Sequence, residues 1–315
     1  MLEYLSSLPG AVMLGLIWGL MAIGVYITYK ILDIPDLTVD GSFATGGIVA
    51  AILIVNGSHF MVAILVAFLA GLACGLLTGL LHTLFGIPAI LAGILTQMAL
   101  WSINLLVNNG ASNTSISNKS FDIIFAQVNI PDALWKMGLV ILLVIGLLYL
   151  FFGTELGASI RATGNNQKMS KAQGINTKLN IVLGLMISNG IVALSGALLA
   201  QYQGFADINM GRGAIVIGLC AVVIGTMLFS KIAKNFAVRL GAVAVGGIIY
   251  YIIFQTVVFI GLDPNMLKML AAVIVALFLG IPYIKRTYWG RIKKRLDNRK
   301  LMKGGEDNVG TKEHL

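Results

Sequence analysis

Long apolar runs separated by short polar breaks fill most of this chain. About nine of them approach the roughly 20 residues that a helix needs to cross a bilayer. They cover Pro9–Tyr29, Gly41–Val55, His59–Phe85, Ile87–Val107, Leu134–Phe152, Leu179–Tyr202, Gly213–Phe229, Phe236–Ile260 and Met266–Ile284. The second and seventh are short and glycine-rich. Runs such as Met137–Phe152 do not alternate in polarity, which excludes a membrane β-barrel. The pattern predicts an all-α, polytopic helical membrane domain over residues 1–285, with short broken helices. A basic cytoplasmic tail over 286–315 follows, and its polar end is expected to be disordered.

Composition agrees with this reading. Of the 315 residues, 58% are hydrophobic and 11% charged, less than half the roughly 25% charged share of soluble domains. A water-facing surface all round is therefore not available. The net charge of +9 is concentrated in loops and in the stretch from Lys285 to Lys303. That placement suits cytoplasmic loops and anionic lipid headgroups rather than nucleic acid. Cys74 and Cys220 lie inside apolar runs and read as small packing residues. The N-terminal region carries Glu3 and no basic segment, so no cleaved signal peptide is expected.

The polar interruption Gly153–Lys178 stands out. It places Arg161, Lys168, Lys171 and Lys178 against the single acid Glu155. By the positive-inside rule it faces the cytoplasm, together with Lys231, Lys234, Arg239 and the tail. All three are cytoplasmic if each of the last four runs crosses once. The loop Asn108–Pro131 then faces outward, and counting back puts the N-terminus outside. Small residues recur at helix-packing spacing in Gly15/Gly19 and Gly71/Gly75/Gly79, and read as grooves for close approach within the chain.

The segment Asp36-Leu37-Thr38-Val39 leads into the short run at Gly41, and Asp207-Ile208-Asn209-Met210 leads into that at Gly213. By the charge pattern the first lies towards the cytoplasm and the second towards the outside. Two similar hairpins of opposite sense predict an inverted internal repeat, whose interrupted helices point to a transport pathway. A short helix starting at Gly41 or Gly213 leaves backbone N–H groups unpaired at its positive end. Asp40 and Asn209 are placed to cap these helices. Asp36, Asp40, Ser42, Asp207 and Asn209 are accordingly candidates for the pathway, with Asn189 and Gln201 in the later spans. Gln97, Trp101 and Asn104 share one helical face by their spacing. For each of these, an inter-helix hydrogen bond is the competing reading.

Motifs for chemistry are missing. No G-x-x-x-x-G-K-[ST] phosphate loop and no H-E-x-x-H occur. His59, His82 and His314 are isolated, so no metal site is expected. Neither an enzyme nor an ion-coupled carrier is indicated, because the spans after Leu134 hold almost no charge at their centres.

Arg161-Ala162-Thr163-Gly164-Asn165-Asn166 followed by Ala172-Gln173-Gly174-Ile175 resembles the R-A-x-G-x-N…A…G-I cytoplasmic loop of the bacterial branched-chain amino acid and ribose permease superfamily. The stretch Asp36–Ser42 resembles the D-L-S-V-G-S segment of ribose-type members. Ala221–Gly225 resembles their A-x-V-x-G-G element, with Thr226 replacing the second glycine. In detail the chain looks most like permeases for tryptophan- or tyrosine-type substrates. The resemblance implies a membrane subunit of an ATP-binding cassette importer in a bacterial plasma membrane. Its implied partners are a second permease subunit, most simply another copy of this chain, two cytoplasmic ATP-binding subunits and an extracytoplasmic substrate-binding protein. ATP would be held by the partner, and this chain would carry no cofactor. Arg161, Ala162, Gly164, Asn165, Lys168, Lys171 and Gly174 would form the coupling loop. The implied cargo is a small amino-acid-like solute, with a nucleoside or sugar as the alternative. A stand-alone carrier or facilitator is the competing functional class.

Overall fold

A computed structural model describes residues 2–116, 124, 130–230 and 235–261, together with residues 269, 272, 273, 276, 277 and 280. The chain divides into two units, Met1–Ala271 and Ala272–Leu315. The described residues of the second unit are helical. Every element that follows belongs to the first.

Ten α-helices account for nearly all of its described residues up to 261: α1 (Leu2–Tyr26), α2 (Val39–Val55), α3 (Phe60–Thr83), α4 (Ala89–Val107), α5 (Ile130–Gly153), α6 (Glu155–Asn165), α7 (Gln167–Ala172), α8 (Thr177–Gln203), α9 (Ala214–Leu228) and α10 (Phe236–Phe259). A π-helical turn, Ile27–Ile31, prolongs α1. Two three-residue strands, β1 (Asn113–Ser115) and β2 (Phe205–Asp207), pair antiparallel. Polar side chains start the helices at the basic loop. Thr154 accepts from the Gly157 N–H, Asn166 from Met169 and Asn176 from Leu179, each satisfying a donor that helix geometry leaves open.

Eight helices coincide, within a few residues, with apolar runs read from the sequence, and the run Met266–Ile284 lies largely outside the described residues. The expectation of about nine spans is not confirmed. Among the described residues six helices are long and apolar enough to cross a membrane, while α2 and α9 fall short. The chain is a mostly helical, multi-pass membrane protein.

Burial separates inner from outer helices. The most apolar window of α1 is 78% buried and that of α8 is 72%, against 22% for α5. Outward leucines such as Leu142 and Leu150 cover α5, as befits a surface whose solvent is hydrocarbon. Helix α1 packs on α8, α9 and α10; α8 packs on α1, α2 and α3; α2 lies on α3 and α9 on α10. Exchanging α1 with α8, α2 with α9 and α3 with α10 returns the same pairings.

Close approach depends on the small residues singled out above. A β-carbon on Gly15 would lie 2.6 Å from Ile248 Cα, and one on Gly19 2.8 Å from the Ala244 carbonyl oxygen, both on α10. Gly71, Gly75 and Gly79 meet α8 in the same way, at Asn189, Leu185 and Val182. Both glycine rows are packing grooves within the chain, and Cys74 and Cys220 are both buried.

The bundle has two distinct ends. At one, α6 seats Gly164 against Ile31, and the Phe152 ring meets that of Phe236 at a tilt. At the other, Tyr4 bonds Thr256 across 2.7 Å, and the loop after α4 pairs with β2.

Candidate functional site

Two segments turn back into the bundle from opposite ends. Residues 32–38 leave the α6 end of α1, with Asp33 in the left-handed region at φ 55°. They carry Asp36 to Asn189, near the middle of α8. Residues 204–213 leave the other end of α8 through Gly204 at φ 78° and reach α9 through Gly213 at φ 83°. Glycine takes these conformations without steric cost. Helices α2 and α9 thus begin inside the bundle, which is why they are short.

Asp36, Ser42 and Asn189 form one buried network. Asn189 Nδ2 donates to Asp36 Oδ2 (2.7 Å) and to the Leu185 carbonyl (3.0 Å). Asn189 Oδ1 accepts from Ser42 Oγ at 2.7 Å. Asp36 Oδ1 accepts the Thr38 N–H at 2.9 Å. All three side chains are buried. The adjacent hydroxyls of Thr38, Thr78 and Thr96 continue the chain of bonds at 2.7 and 2.9 Å. Buried polar groups require such partners, and here they tie α2 to α8, α3 and α4.

Asp40 does not cap its own helix. Its Oδ2 accepts the Gly213 N–H and its Oδ1 the Ile215 N–H, each at 2.9 Å. The carboxylate of α2 therefore closes the positive end of α9, a partnership of 173 residues' separation that local cap rules do not reveal. Asn209 is not the α9 cap either. Its N–H bonds Asp207 Oδ1 at 2.6 Å in a tight turn, and its Oδ1 accepts from Trp101 Nε1 at 3.4 Å.

Beside Asp40 lies a cavity of about 260 Å³, lined by Asp40, Gly41, Gln97, Trp101, Asn104 and Arg212, with Ala44, Ile94, Met98 and Ile208 as its apolar walls. The single helical face of Gln97, Trp101 and Asn104 thus becomes one wall, with α2 as the second and the turn before α9 as the third. Asn104 is 2% exposed, and its Nδ2 has no hydrogen-bond partner. Arg212 is exposed. Its side chain forms no ion pair or hydrogen bond among the described residues. Arg212 is not among the site residues that the sequence pattern predicts; a cation next to a helix start inside an apolar chain is the signal that marks it. Gln201 stands apart, accepting the Ile124 N–H at 3.3 Å.

At the α6 end, a larger cavity of about 620 Å³ is lined by Tyr26, Tyr29, Lys30, Asp33, Arg161, Gly164, Asn165 and Arg239, among others. Arg161 donates to the Phe152 carbonyl at 2.8 Å, holding the end of α5. Ile160 and Thr163 face inward, and Thr163 accepts from Asn180 of α8 at 2.9 Å. Ala162, Asn165, Lys168, Lys171 and Gly174 are exposed. A side chain at Gly164 would strike the Ile31 carbonyl. The loop is therefore built with one face fixed on α1 and α8 and the other free.

Residues 8–282 match the family described as "Branched-chain amino acid transport system / permease component". The tyrosine transport system permease protein of Clostridioides difficile is 41% identical over 275 residues, covering 87% of this chain and 91% of that protein. An uncharacterized protein of Rickettsia prowazekii is 33% identical over 268 residues, with 84% and 93% covered. The ribose import permease protein of Escherichia coli K12 is 25% identical over 233 residues, with 72% and 71% covered. No solved structure matches the chain.

Proposed function

Because the chain belongs to the family of branched-chain amino acid transport system permease components, we propose that it is the membrane subunit of an ATP-driven importer in a bacterial plasma membrane. Separate cytoplasmic ATPase subunits bind the ATP. They engage the α6–α7 loop through the exposed face of Ala162, Asn165, Lys168, Lys171 and Gly174, while Arg161 and Gly164 hold the loop on the bundle. An external binding protein delivers the solute, and a second copy of the chain completes the conduit. The cargo is a small amino-acid-like solute, in keeping with the tyrosine permease being nearer in sequence than the ribose permease.

One observation carries this reading. The basic loop is seated rigidly on the ends of α1 and α8, the two inner helices that run on to the Asp36–Asn189–Ser42 network. A push on α6 is thereby passed to the centre of the bundle, where α2 and α9 meet. The exchange symmetry of the helix pairings and the two segments re-entering from opposite ends support an inverted repeat. Such repeats work by rocking one half against the other around a central site.

Reversing the charge of the free face tests the proposal. In cells carrying the whole transport system, the Lys168→Glu, Lys171→Glu double variant is expected to lose nearly all uptake of radiolabelled amino acid while its amount in the membrane is unchanged. Normal uptake by that variant, or flux through the chain alone in vesicles without ATP, overturns it.

A further inference from the structure

At the α6 end, the ends of membrane spans, a cluster of cations and a lipid-facing groove meet. We propose that the larger cavity there seats the phosphate of an anionic phospholipid on Lys30, Arg161 and Arg239, with an acyl chain laid along the end of α5. The inference needs only that the chain lies in a bilayer, and goes beyond its reading as an importer subunit.

Depth is the first support. Lys30 and Ile31 end the π-helical turn after α1, Phe236 and Arg239 belong to the first turn of α10, and Arg161 and Gly164 come from α6. The cavity therefore lies where spans give way to the headgroup layer. Tyr26 and Tyr29 line it too, the residue type enriched at that level. The π turn creates the wall: Ile27, Thr28 and Ile31 stay buried while Tyr29 and Lys30 face the cavity. Such turns are frequent at functional sites.

Charge is the second. Three cations line the cavity against one acid, Asp33. Among the described residues neither Lys30 nor Asp33 forms an ion pair, so the acid does not answer the lysine. Arg161 gives one donor to the Phe152 carbonyl. That bond fixes the guanidinium and leaves the rest of its fork for phosphate oxygens, whose geometry it matches. Basic pockets between spans are suited to anionic headgroups, and about 620 Å³ is ample for one.

Shape decides between a lipid and a soluble anion. A neighbouring groove of about 450 Å³ shares Arg161 and Phe236 with the cavity and is otherwise lined by Tyr149, Leu150, Phe152, Gly153 and Thr154. Leu150 is 68% exposed on α5, the least buried of the candidate spans. A free phosphate, or an acidic side chain of a soluble partner, would use the cations and leave this largely apolar groove empty. A phospholipid uses both.

The purified full chain in detergent is mixed with equal amounts of phosphatidylglycerol and phosphatidylcholine of the same acyl chains and followed by native mass spectrometry. Phosphatidylglycerol is expected to bind in preference. Lys30→Gln should weaken it about fivefold, and Lys30→Gln with Arg239→Gln about thirtyfold, while Lys30→Arg keeps it. Lys136→Gln, at the other end of the bundle, should leave the preference unchanged. Photocrosslinking from a diazirine on the acyl chain tests the placement in the unaltered chain, so a variant that misfolds does not decide the outcome. The peptide carrying Tyr149–Phe152 should be labelled more from phosphatidylglycerol than from phosphatidylcholine. Equal labelling there, equal binding of the two lipids, or a preference that survives the paired substitution overturns the lipid site. Binding of inorganic phosphate as tight as that of the lipid would make it a site for a free anion instead. Loss of a co-purifying ATPase subunit, with lipid binding unchanged, would assign the cations to a protein partner.

Discussion

At the scale of single residues, Asn189 is held on every polar atom of its side chain. Both of its N–H groups and its oxygen are used, by Asp36, Leu185 and Ser42. Replacing it with leucine keeps the heavy-atom branching and removes all three bonds. Asp36 Oδ2 and the Ser42 hydroxyl are then buried without that partner, at about 1–3 kcal/mol for each orphaned group. Asn189→Leu is therefore expected to lower the thermal unfolding midpoint sharply in detergent, whereas Gln201→Leu removes one longer bond and should cost less. Equal effects of the two substitutions would contradict the network. The residue types were legible in the sequence: Asp36, Ser42 and Asn189 stood out as polar positions in an apolar chain. Their meeting was not, because they are 147 and 153 residues apart, and no periodicity encodes such a contact. The same holds for Asp40, whose cap bonds go to a helix of the other half. Gln97, Trp101 and Asn104 were legible as a group because helical spacing alone puts them on one face.

Elements were read well where length and composition decide them, and poorly where tertiary contacts do. Runs of 24 residues such as α3 and α10 could hardly be anything but helices. The short lengths of α2 and α9, 17 and 15 residues, were also visible, but that their starts lie inside the bundle was not. The glycine rows make a sharper test. On α3, a β-carbon at Gly75 would strike the Leu185 carbonyl of α8, whereas Gly146 on α5 has nothing within 4 Å. Gly75→Ala must push α3 away from α8 and is expected to lower stability by about 1–3 kcal/mol, the usual cost of overpacking. Gly146→Ala meets open space and gains helix propensity, about 1 kcal/mol in favour of the helix. Thermal unfolding of the two variants side by side should move in opposite directions; a shared direction would mean that α3 and α8 do not depend on that close approach.

The molecule as a whole is polar along its axis, with the basic α6–α7 loop at one end and the β1–β2 pairing at the other. That polarity ties every part of the proposal together, since a motor in the cytoplasm can reach only one end. The charge pattern in the sequence assigned the loop to the cytoplasm and Asn108–Pro131 to the outside, and the fold puts the loop's α6 and the start of Asn108–Pro131 at opposite ends. Side-specific labelling decides which end is which. Both native cysteines are buried, so the unaltered chain should react slowly with a membrane-impermeant maleimide. Ala111 and Gln173 are exposed, one near each end, and lie outside the cavity and the polar network. In intact cells Ala111→Cys is expected to be labelled at once, and Gln173→Cys only after the membrane is opened. The opposite order would place the basic loop outside the cell, beyond the reach of any ATPase. In that case the energy for transport has to enter the bundle elsewhere, even though its fold, its glycine packing and its cavity would be unchanged.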